Sequence, residues 1–126
     1  MEPYILLVED DTILERAFKL KCAKKNISLK IIGDGYDAVS FIKTTAKKPS
    51  VVVLDLMLPG ASGFEILDVL RSSPGWKSIP VLILSVLSQE NDIKKAKSLG
   101  AKEYLIKSDI TIDDAVEKAS QYIPQK

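Results

Sequence analysis

Four short runs in this chain are apolar or aromatic at every position: YILLV at 4–8, VVVL at 51–54, VLIL at 81–84 and YLI at 104–106. A strand with one face in water alternates polar and apolar residues. A run that is apolar throughout therefore belongs to a strand covered on both faces, as in a parallel sheet held between two layers of helices. The intervening segments supply those helices, because their apolar residues recur at spacings of three and four. Leu14, Ala17, Phe18 and Cys22 form one stripe, Ala38, Phe41 and Ile42 a second, Phe64, Leu67 and Leu70 a third, and Ile93, Ala96 and Leu99 a fourth. The stripes predict helices over 12–25, 35–46, 63–73 and 89–99. A last stripe, Ile112, Ala115, Val116, Ala119 and Ile123, follows a Thr111–Asp114 capping box and is closed by Pro124. Asp11, Ser62 and Ser88 stand where N-caps belong. SLKII at 28–32 alternates at Leu29, Lys30 and Ile31, which places it at a sheet edge. Strand and helix thus alternate along the whole chain, and right-handed crossovers turn that order into a three-layer, doubly wound (βα)5 sandwich of class α/β.

Composition narrows what such a fold does here. The 126 residues make one domain, with no repeat and no linker-like tract at which to divide it. Lys and Arg total 18 against 17 Asp and Glu, so no whole-molecule field draws the chain to nucleic acid or to an anionic membrane. KLKCAKK at 19–25 reads as a solvated helix face. No apolar run nears the roughly 18 residues of a membrane span. The start, MEPYILLVED, lacks the basic opening of a signal peptide, and the expected location is the cytoplasm. With no histidine in the chain, zinc sites of the Cys/His kind and histidine-dependent triads are excluded. Cys22, on a helical stripe, reads as a buried and inert thiol.

The chemistry gathers at the strand ends. Ligands of a doubly wound sheet bind beyond the carboxyl ends of its strands. Each apolar run ends there in a polar group: Glu9 and Asp10, Asp55, Ser85, and Lys107. Carboxylates brought together repel one another unless a cation joins them, and an all-oxygen set suits Mg2+. A hydroxyl and an ammonium beside that ion fit two phosphoryl oxygens. One carboxylate is then left as a nucleophile, and Asp55, between the acids and the Ser85/Lys107 pair, is the residue expected to form an aspartyl phosphate. Asp11 reads instead as a helix cap.

These residues sit in motifs, LLVEDD, VLDLMLPGASG, VLILS and LGAKEYLIK, whose joint occurrence in this order resembles the receiver domain of two-component response regulators, close to the single-domain chemotaxis type. The resemblance covers the whole chain. It implies the flavodoxin-like strand order 2-1-3-4-5 and a phosphorylation-activated switch. In that switch Asp55 accepts a phosphoryl group from a histidine kinase or phosphotransfer protein. It further implies that Asp10, Asp55 and the Met57 carbonyl bind Mg2+ directly while Glu9 acts largely through water. Ser85 and Lys107 would hold the phosphoryl oxygens, and Ser85 with Tyr104 would form the switch. Readout is expected at a downstream protein through the face of the fourth helix, fifth strand and fifth helix. The chain stops soon after its last helical stripe, so no output domain is expected within residues 1–126. Two positions depart from the family pattern. Val86 replaces the usual small residue and is expected to narrow access to Asp55. Ser108 replaces the proline that often follows the lysine, so a trans bond and a reshaped loop are expected there.

Two other readings compete. An aspartyl-phosphate hydrolase or mutase would carry a second acid two residues after the nucleophile, where this chain has Met57. A degenerate receiver serving as a constitutive docking module would have no need of the intact set of acids.

Overall fold

The computed structural model describes residues 2–124, so the outermost residues of the expected 1–126 domain lie outside the described range. The elements alternate as β1 (Tyr4–Val8), α1 (Thr12–Lys24), β2 (Ser28–Ile32), α2 (Gly35–Thr44), β3 (Val51–Leu54), α3 (Gly63–Ser72), β4 (Val81–Ser85), α4 (Glu90–Ser98), β5 (Glu103–Ile106) and α5 (Ile112–Ser120). A single turn of 3-10 helix, Lys107–Asp109, follows β5. All pairings are parallel and the strand order is β2-β1-β3-β4-β5. SLKII does form an edge strand, β2.

The wholly apolar strands are explained by what lies on either side. Leu6, Val8, Val52, Leu54 and Ile83 face one way and pack with Ala38 and Ile42 of α2, Ile66, Leu67 and Leu70 of α3, and Ala96 of α4. Ile5, Leu7, Val51, Val53, Leu82 and Leu84 face the other way, against Leu14, Phe18 and Cys22 of α1 and Ala115, Val116 and Ala119 of α5. Each large side chain so buried contributes about 2 kcal/mol, so two full layers hold the sheet rigid beneath its loops. Burial also pushes the Cys22 thiol up to about 11, which keeps it inert.

Local chemistry sets the helix starts. Asp11 accepts hydrogen bonds from the Ile13 and Leu14 amides at 2.9 and 3.2 Å. Ser62 and Glu65 form a full capping box. Thr111 makes only the forward half of its box, accepting from the Asp114 amide at 3.0 Å. Ser88, by contrast, is not a cap: α4 starts at Glu90, and the Asp92 and Ile93 amides bond to the Gln89 carbonyl at 3.1 Å. Leu87 is tied at both its amide and its carbonyl, and Ser88 lies in the connection before the helix. The Gln89 side chain makes no capping bond, and Ala96 is the one buried residue of α4. Helix α5 ends at Ser120, ahead of the stripe residue Ile123, which still packs on the core from the following turn. Among the described residues no helix is long and apolar enough to cross a membrane.

Candidate functional site

The strand ends converge as the apolar runs imply. Val8 is in register with Leu54, so Glu9 and Asp55 leave adjacent strands side by side. Ser85 and Ile106 are likewise paired, which sets Lys107 one step beyond Ser85. Among the described residues, Glu9, Asp55 and Ser85 are the buried polar and charged ones, 1%, 5% and 0% exposed, in an otherwise apolar interior. Carboxylate oxygens of Glu9, Asp10 and Asp55 lie within 4.8 Å of one another. Lys107 Nζ sits over the group, 2.8 Å from Glu9 Oε1 and 3.1 Å from Asp55 Oδ2.

The two buried acids are held by backbone as well as by charge. Glu9 Oε2 accepts from the Asp10 and Asp11 amides at 3.0 and 3.2 Å. Asp55 Oδ1 accepts from the Met57 amide at 3.1 Å. Gly63 lets the loop after Asp55 fold back on itself, since a Cβ there would stand 2.4 Å from Leu56 Cα and 2.5 Å from the Asp55 carbonyl. Burial raises the Glu9 carboxyl to about 7, with Lys107 opposing the shift and Asp55 adding to it. Burial lowers the Lys107 ammonium, but Glu9 and Asp55 outweigh it and hold the group charged.

The donor set fits a hard divalent cation. All its donors are oxygen, and two of the three acids are buried. Glu9 Oε1 also receives no properly directed hydrogen bond, for Lys107 approaches it as an ion pair only. A lone ammonium cannot neutralise three carboxylates, which leaves charge for an ion to balance. Asp11 points elsewhere, its carboxylate committed to capping α1.

The neighbouring loops place the remaining expected residues. Ser85 Oγ accepts from the Leu87 amide at 3.3 Å, and the Tyr104 hydroxyl donates to the Leu87 carbonyl at 2.8 Å. One loop thus links the fourth strand end to the half-buried Tyr104 of β5. Val86 is 60% exposed and Met57 54% exposed, so both stand at the rim, and Val86 reaches outward into solvent. No cis peptide occurs among the described residues, so Lys107–Ser108 is trans, and the 3-10 turn that replaces the proline corner still delivers Lys107 to both acids. Sequence reasoning missed Gly35 and the carbonyl of Leu87 as parts of this region. Only a glycine opening a helix pointed to the former, and nothing in the sequence marks the latter.

The model of the response regulator receiver domain matches residues 5–119, nearly the whole chain. The chain belongs to this family. Among individual relatives, this receiver domain is 33% identical over 111 residues to response regulator Rcp1 of Synechocystis sp. (strain ATCC 27184 / PCC 6803 / Kazusa), covering 82% of the chain and 76% of the relative. It is 31% identical over 107 residues to DNA-binding response regulator MtrA of Mycobacterium tuberculosis (strain ATCC 25618 / H37Rv), covering 85% of the chain. It spans 45% of the length of that relative. The crystal structure of the Mn(2+)-bound form of Rcp1 superposes with a TM-score of 0.85 at 27% identity, over 98% of this chain and 99% of the other. The phosphorylated cyanobacterial phytochrome response regulator RcpA gives 0.85 at 26% identity, over 98% and 94%.

Proposed function

We propose that this receiver domain is a phosphorylation-activated switch in the cytoplasm, with Asp55 as the phosphoryl acceptor. The observation that carries the reading is the Lys107 bridge between Glu9 and Asp55 at the mouth of a three-acid cluster. A partly buried ammonium over two buried carboxylates is costly to assemble for stability alone, and a transferring phosphoryl group needs such a partner. Asp10, Asp55 and the Met57 carbonyl would hold Mg2+, with Glu9 acting through water. Bound there, the ion would neutralise charge on the transferring group. An Asp55 carboxylate oxygen forms the new P–O bond as the bond to the donor's imidazole nitrogen breaks. The imidazole leaves with that electron pair and takes up a proton. Lys107 then turns from Asp55 to a phosphoryl oxygen, and Ser85 donates its hydroxyl to another.

The donor in this reading is a histidine kinase or phosphotransfer protein. Four of the exposed large apolar side chains, Ile13, Tyr36, Met57 and Val86, follow the ends of four successive strands, the end of the sheet from which the acids also emerge. Such apolar exposure beside a charged centre suits a protein donor better than a small solute. The downstream partner reads the face of α4, β5 and α5. A charge at Asp55 that draws Ser85 inward pulls on Leu87, and so on the Tyr104 hydroxyl bonded to it.

Incubation with a small acyl-phosphate donor and Mg2+, followed by intact mass, tests the assignment. One phosphoryl adduct is expected, absent in EDTA and absent in Asp55→Asn; an adduct that survives the substitution overturns it.

A further inference from the structure

The loop that carries Asp55 and Met57 is braced from the start of α2, a segment that supplies none of the acids. Between Asp55 and α3 the chain is anchored at its near end, where Leu56 is buried and its carbonyl accepts from the Gly63 amide at 3.1 Å. Its far stretch, Pro59 to Ala61, projects toward the start of α2. There the Gly35 amide donates to the Pro59 carbonyl at 2.8 Å. The approach is so close that a Cβ on Gly35 would stand 2.0 Å from the Ala61 carbonyl oxygen and 2.6 Å from its nitrogen. Both are backbone atoms, so no side-chain rotation relieves the contact. Asp34 fixes the turn beneath, its Oδ1 accepting from the Tyr36 and Asp37 amides at 2.8 and 3.1 Å. The Tyr36 ring closes the contact from outside, its Cδ2 2.9 Å from where a Cβ of Gly60 would stand. Tyr36 is 71% exposed, so it braces the loop without belonging to the core.

Met57 lies between these two anchors. Its side chain is mostly in solvent, and its amide donates to Asp55 Oδ1. Its position is therefore inherited from Leu56 on one side and Pro59–Ala61 on the other.

We propose that Gly35 is a positioning residue for the cation site, which it serves by seating Pro59–Ala61 and, through them, the Met57 carbonyl and Asp55; this rests on the metal-dependent reading above. Outer partners that orient metal ligands are worth roughly 10–100-fold in metal affinity when removed.

Mn2+ binding to the intact chain, followed by the loss of the free-ion electron paramagnetic resonance signal and paired with a thermal melt, tests the inference. In Gly35→Ala, Mn2+ should bind at least about tenfold more weakly, and the Met57 amide resonance should move. Gly100→Ala is the control for simple destabilisation. Its φ of +105° strains an alanine, yet its Cβ would meet nothing within 4 Å, so the melt should fall while Mn2+ affinity stays put. Should Gly35→Ala fail to fold, Tyr36→Ala decides, with several-fold weaker Mn2+ binding at an unchanged melting temperature expected. Wild-type affinity in Gly35→Ala overturns the inference alone, as does wild-type affinity in Tyr36→Ala where the glycine variant is unfolded. A wild-type chain that takes up no Mn2+ overturns the metal reading and this inference together.

Discussion

Lys107→Met should destabilise the domain in EDTA and be largely rescued by Mg2+. Removing one partner of a fully buried ion pair costs roughly 3–5 kcal/mol. Two features lower that figure here. The Lys107 side chain keeps 18% of its exposure, so part of its charge is already solvated. Glu9, pushed by burial to about 7, can take up a proton rather than remain an orphaned charge. What remains is chiefly the lost partner of Asp55, a charged hydrogen bond of 3.1 Å worth about 2 kcal/mol. With an unfolding entropy near 2.1 cal/mol/K per residue, that loss lowers the Tm of a 126-residue domain by about 8 °C. The buried Trp76 gives a fluorescence signal for urea unfolding, to be followed in EDTA and again in Mg2+. A bound cation would pair both carboxylates, so the gap between variant and wild type should close to less than about 1 kcal/mol. Equal stability of the two proteins in EDTA, or a gap that Mg2+ leaves untouched, would refute the view that the lysine and a metal ion serve the same oxygens.

Three other outcomes are expected. Introducing Met57→Asn together with Leu87→Glu places water-orienting groups beside Asp55, and the phosphoryl adduct should decay at least about tenfold faster, short of the roughly 100-fold of a fully placed general base. Tyr104→Phe removes the bond to the Leu87 carbonyl; urea unfolding should register about 1 kcal/mol, and hydrogen exchange should quicken over residues 86–89. Val86→Ala should change the rate of adduct formation by less than about twofold, as befits a side chain 60% exposed at the rim, with the rate read from mass spectra over time.

The wholly apolar runs made the sheet legible because a strand buried on both faces admits nothing else, and the same runs showed where its chemistry had to emerge. Asp11, Ser62 and Thr111 were legible as caps because capping is decided within four residues. Ser88 misled because the β4–α4 connection is tied by contacts beyond its own sequence neighbours, among them the hydroxyl of Tyr104 on another strand. Trp76 was equally opaque: it lies in the α3–β4 connection, carries no periodicity, and is nevertheless 2% exposed in the core beside Leu67 and Leu70. At the site, residue types at strand ends identified the acids, the hydroxyl and the lysine. The bracing by Gly35 was hidden, because it depends on how nearly two loops from non-neighbouring strands approach.

Helix α4 contributes Ala96 alone to the buried interior, and no side chain caps its first turn. Two ties reach it from α3: Lys95 lies 4.4 Å over the Phe64 ring, and Arg71 Nη1 donates to the Ser98 carbonyl at 2.7 Å. Substitutions on so exposed a surface usually shift stability by no more than about 0.5 kcal/mol. The outer positions of α4 can therefore drift over generations while β1, β3 and their acids stay unchanged. On the proposed reading, in which a partner docks on this face, a duplicated copy of this gene could acquire a different listener through a few changes between Glu90 and Ser98, and keep its phosphorylation chemistry intact from the first step.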